Sequence, residues 1–105
     1  MLLCFELSMP NRGSWNGGWS GDGRIHARIV NLGYSKKAEE EGRRIVEGSP
    51  YFYAWSDGWS ASVSVRIVDG NEARRIRRQS AGFAGYDWMI NSIRRHGDIR
   101  VTTRT

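Results

Sequence analysis

The chain has 105 residues, 39% of them hydrophobic, which is enough for one domain with one core over residues 1–105 and leaves no room for a second. Its net charge of +5 lies wholly in residues 66–105, where nine Arg face Asp69, Glu72, Asp87 and Asp98, while residues 1–65 balance seven basic against seven acidic side chains. No apolar run is long enough to span a membrane, and the single Cys4 excludes an internal disulfide and a CxxC zinc pair.

The opening MLLCFELSMP lacks a basic leader and breaks at Glu6, so a strand over Leu2–Leu7 is expected rather than a secretion signal. Pro10-Asn11-Arg12-Gly13 ends it. Within that strand Cys4 reads as a small buried apolar residue, and a reducing cytoplasm is the expected location. Trp15–Gly23 is rich in Gly and Ser, with Asn16-Gly17 as a tight-turn signal. A strand is expected over Arg24–Leu32, with Ile25, Ala27 and Ile29 on one face and Arg24, His26 and Arg28 on the other. Ser35 is placed to cap a helix over Lys36–Glu47, whose thin apolar stripe is Ala38, Gly42, Ile45 and Val46, and Gly48 is placed to stop it.

Tyr51–Trp55 and Trp59–Ile67 form a hairpin across Ser56-Asp57-Gly58, a length suited to a type I turn with a left-handed glycine. That register sets Trp55 against Trp59, Tyr53 against Ala61 and Tyr51 against Val63. The second strand points Trp59, Ala61, Val63, Val65 and Ile67 one way and Ser60, Ser62, Ser64 and Arg66 the other. A short helix follows from about Asn71 to Ser80, capped by Gly82, with only Ala73 and Ile76 turned inward. A longer helix in FAGYDWMINSIRRHGD places Tyr86, Met89, Ile90 and Ile93 on one stripe and Trp88 off it. Arg94, Arg95 and His96 suit its negative end before Gly97, and residues 98–105 read as an edge strand or a loose tail.

The fold class is therefore α+β: a small antiparallel sheet of four or five strands, including the Trp-flanked hairpin, packed against two or three helices. Two segments, about 15–48 and 55–82, each run Trp-x-x-Gly-Trp-Ser, a strand ending Arg-Ile-Val, a turn and a helix. They suggest a degenerate β-β-α repeat.

Catalytic constellations are nearly absent. Glu39, Glu40 and Glu41 are consecutive on a helix and splay apart; Asp57 caps its own turn; His26 is a lone imidazole. GGWSGDG resembles a phosphate loop only in its glycines, lacking the Lys-Ser/Thr end and opening a strand. No catalytic residue, metal ligand or cofactor is nominated. Binding chemistry is better represented. Arg74, Arg75, Arg77 and Arg78 crowd one helix, Arg94 and Arg95 end the next, and Trp15, Trp19, Trp55, Trp59, Tyr86 and Trp88 offer rings for stacking, with Asp87 beside them. The competing readings are that the arginines keep the domain soluble and pair with Glu39–Glu41, and that Phe83, Tyr86 and Trp88 plug the core.

ELSMPNRGSWNGGWSGDG and YFYAWSDGWSASVSVR, followed by SAGFAGYDWMINSI, resemble a group of short phage and prophage proteins of gut Firmicutes. The resemblance runs from about Leu3 to Asp98. It implies a counter-defence role in a bacterial host cell, of the kind filled by inhibitors of type II-A CRISPR nucleases, and carries over no assigned residue. A basic chain does not fit an acidic DNA mimic. The implied partner is a Cas9-type effector, its guide RNA or DNA, bound without catalysis. Two other binding functions remain open, an oligomeric sponge for a phosphorylated nucleotide messenger and a small nucleic-acid-binding accessory protein, with an enzyme, a nuclease foremost, ranked last.

Overall fold

The computed structural model describes residues 1–8, 25–54, 60–80 and 85–96. They form an α+β fold: β1 (Leu2–Ser8), β2 (Ala27–Asn31), α1 (Lys36–Gly48), β3 (Tyr51–Ala54), β4 (Ser60–Val68), α2 (Gly70–Gln79) and α3 (Tyr86–His96). The strands make one antiparallel sheet in the order β2-β1-β4-β3.

The alternation of side chains along the two central strands decides what each face of the sheet holds. Leu3, Phe5 and Leu7 of β1 join Ala61, Val63 and Val65 of β4 on the first face. There they meet Ile45 of α1, Tyr51 and Tyr53 of β3, and Tyr86, Met89, Ile90 and Ile93 of α3. Ile67, expected to continue this row, is exposed near the end of β4 instead. Cys4 and Val68 turn to the second face, where Ala27 and the Ala73 and Ile76 stripe of α2 cover them. Because β1 is buried on both sides, its run Leu2-Leu3-Cys4-Phe5 is continuously apolar. Each large aliphatic side chain so buried contributes about 1.5–3 kcal/mol.

The expected register of the hairpin is present, with Tyr51 opposite Val63 and Tyr53 opposite Ala61. Trp55, Trp59 and their connecting loop lie outside the described residues, as do Trp15 and Trp19. Ser35 caps α1 as expected, its Oγ accepting from the Ala38 N–H at 3.1 Å. The helix runs on through Gly48, however, and ends at Ser49, whose N–H donates to the Val46 carbonyl. Gly48 is thus not a left-handed stop. A glycine is needed there because a Cβ would stand 2.5 Å from the Tyr51 hydroxyl, which donates to the Ile45 carbonyl at 2.7 Å.

Three other boundaries move. Asp69 caps α2, Oδ1 accepting from the Glu72 N–H at 2.8 Å, so the helix starts at Gly70 and ends at Gln79, one residue earlier at each end than its sequence suggests. Gly82 lies outside the described residues. The second strand is confined to Ala27–Asn31, while Ile25 makes a single parallel bridge to Ser80, its N–H donating to the Gln79 carbonyl. On the polar-looking side of that segment His26 is buried, only 3% exposed, while Arg28 is partly exposed.

Helices α1 and α2, which follow the two β-β pairs, pack on opposite faces of the sheet. The chain therefore passes from the second face at the end of α2 to the first face at the start of α3. Both ends of that connection lie beside β2: Ser80 bridges to Ile25, and Tyr86 lies under Arg28. No helix among the described residues is long and apolar enough to cross a membrane.

Candidate functional site

Helix α2 turns only Ala73 and Ile76 inward, a spacing that contacts the sheet along one narrow line. The rest of its surface carries Arg74, Arg75, Arg77 and Arg78, all exposed. Glu72 draws on two cations: it pairs with Arg66 from β4 and with Arg75 at 3.5 Å. Arg74 hydrogen-bonds the Asn71 side chain. Among the described residues no carboxylate lies within ion-pair distance of Arg77 or Arg78. Both sit in the last turn of α2, where the negative end of the helix dipole favours cations.

Arg94 and Arg95 end α3, on the other face of the sheet from α2. The six arginines therefore do not make one surface, because the sheet lies between the two groups. Arg94 is held by Glu41 of α1, and its carbonyl accepts from Arg44 at 2.9 Å. Arg95 is exposed and makes no ion pair among the described residues. The acidic run of α1 pairs with its own face of the molecule, Glu39 with Arg43 at 2.7 Å and Glu41 with Arg94, and reaches none of the α2 arginines. The sheet that divides the arginines thus leaves those of α2 beyond the reach of that acidic face.

The rings separate in the same way. Tyr86 is 1% exposed and belongs to the core, and burial pushes its hydroxyl pKa up; it is not a stacking platform. Trp88 lies off the buried stripe as its position suggests, 45% exposed, with its ring edge-on to Tyr53 at 5.6 Å. Asp87 pairs with Arg28 of β2, whose guanidinium also lies over the Tyr86 ring, 5.2 Å from its centroid. This contact joins the outer strand to α3.

Beside β2 a cleft of about 240 Å³ opens between the C-terminal turn of α2 and the first turn of α3. Ala27, Ile29 and Ile76 supply its apolar lining; Arg28, Arg77 and Ser80 supply polar groups, and Tyr86 borders it. The presence of Arg28 here cannot be read from sequence. Its position on the polar side of a strand is visible there, but its pairing with Asp87 and its place in one cleft with Arg77 depend on how two helices flank the sheet edge. Among the described residues no group of three or more His, Cys, Asp or Glu gathers as a metal site. Burial pushes the Cys4 thiol pKa up, which suits a core residue rather than a nucleophile. Compared with protein-family models, curated proteins and solved structures, the chain matches none.

Proposed function

We propose that the chain is a non-enzymatic binding protein that acts in the bacterial cytoplasm against a CRISPR effector of the Cas9 type, gripping phosphates of its nucleic acid with the outward surface of α2. One observation carries this reading: Arg77 and Arg78, consecutive and exposed in the last turn of α2, have no carboxylate in range among the described residues. Guanidinium groups left in that state, with their planar forked donors, suit phosphate oxygens better than a solvating role requires. The direction of the attack, counter-defence, rests on the resemblance of the Trp/Gly and Gly-Tyr-Asp-Trp segments to phage proteins. A small accessory protein that binds nucleic acid would use the same surface, so the partner distinguishes the two.

The test is a pulldown of the effector with and without its guide RNA, alongside free RNA of the same length. Capture of the loaded effector, weakened by Arg77→Ala with Arg78→Ala, supports the reading. Equal capture of any RNA in the absence of effector favours the accessory role. No capture of either effector form defeats the proposal.

A further inference from the structure

We infer that the cleft beside β2 is a binding site for a small phosphate ester, its phosphate held between Arg28 and Arg77 and its organic part laid against the partly exposed Ile29. This goes beyond the nucleic-acid contact of the outward α2 surface and involves a different ligand class. Two arginines line the same cavity from different elements, Arg28 from β2 and Arg77 from α2. Neighbouring cations repel, and a phosphate dianion placed between them turns that repulsion into attraction. Arg77 has no carboxylate in range among the described residues; Arg28 meets Asp87 through one nitrogen, Nη1, of a group that carries five N–H donors.

The backbone adds N–H donors, alternating with outward carbonyls, at the same place. The Leu7 N–H bonds to the His26 carbonyl, and residue pairing alternates along an antiparallel ladder, so the peptide groups of Ala27 and Ile29 point away from β1. Both residues line the cleft. Among its apolar lining residues Ile29 is the one partly exposed, and it offers a contact for a small organic group beside the phosphate. The volume, about 240 Å³, falls below the roughly 300–1,000 Å³ of sites for drug-sized ligands. It therefore fits a phosphate with one ring or a short chain, or the terminal part of a nucleotide whose remainder stays outside.

Isothermal titration of the full chain with inorganic phosphate and with phenyl phosphate tests the site. Saturable binding is expected, tighter for phenyl phosphate than for phosphate. Arg77→Ala should weaken phenyl phosphate by about tenfold or more, the size of one charge-assisted hydrogen bond. Arg28→Lys, which keeps the charge but loses the fork, should weaken it several-fold, with circular dichroism showing the fold intact. Lys37→Ala, on exposed α1, should leave it unchanged. Absence of saturable binding by either probe overturns the inference. So does an Arg78→Ala effect as large as that of Arg77→Ala, which would mean diffuse attraction to α2 rather than a site. Loss of effector capture by Arg78→Ala with phenyl phosphate binding retained separates this site from the nucleic-acid surface.

Discussion

Gly48→Ala sets two opposed effects against each other, and the geometry says which wins. Gly48 is the last residue of α1, so alanine gains at most about 1 kcal/mol of helix propensity there. The added Cβ, however, would lie 2.5 Å from the Tyr51 hydroxyl oxygen, 3.1 Å from its ring carbon Cζ and 3.3 Å from Cε1. Tyr51 is 1% exposed, packed among core residues and tied to the Ile45 carbonyl at 2.7 Å. Moving its ring loses that hydrogen bond, about 0.5–1.5 kcal/mol, and strains the packing by about 1–3 kcal/mol. The net expectation is destabilisation by about 1–3 kcal/mol, read as a lower urea midpoint at unchanged slope. Tyr51→Phe removes the oxygen nearest the new methyl, so the double variant Gly48→Ala/Tyr51→Phe should lose less than the two single losses combined. A Gly48→Ala protein as stable as the parent or more so would refute the close approach of Tyr51 to α1.

Ile93→Ala, which empties a fully buried site between α3 and the sheet, should cost about 2–5 kcal/mol in urea unfolding. Arg94→Ala removes the exposed pair with Glu41 and should cost no more than about 1 kcal/mol, because such a pair is screened by water. Burial raises the hydroxyl pKa of Tyr51 and of Tyr86, so the folded chain keeps these protons to higher pH than the unfolded chain. Stability should therefore be complete below the ordinary tyrosine value of about 10 and fall as pH rises above it. Urea midpoints and phenolate absorbance across that range would show it, and two tyrosines that ionise normally in the folded protein would contradict it. The Cys4 thiol, buried and raised in pKa, should react with a disulfide reagent only after denaturant is added.

What is legible in the sequence follows from local periodicity. The alternation of Trp59 to Ile67 announces β4 and its pairing with Tyr51 and Tyr53, and the spacing of Tyr86, Met89, Ile90 and Ile93 announces the buried side of α3. Ser35 is readable as a cap because its hydroxyl acts within three residues. The division of the arginines is not readable. Nothing within Arg74–Arg78 or Arg94–Arg95 records that α2 and α3 lie on opposite faces, since that depends on where each helix crosses the sheet. Nor is the burial of His26 or the recruitment of Arg28 to a cleft, because β2 looks half-polar along its length and is flanked by elements some fifty residues away. Gly48 misleads for a related reason: glycine at a helix end usually signals a left-handed turn, whereas here it makes room for Tyr51.

Phosphate recognition by the exposed side of α2 is tested most directly by the salt dependence of binding to the RNA-loaded effector. The parent chain should bind with an affinity that falls steeply as salt rises. The Arg77→Ala/Arg78→Ala chain should bind more weakly, with a slope shallower by about 0.7 for each single-strand phosphate that it no longer neutralises. Identical affinities and parallel salt slopes for the two chains would contradict it.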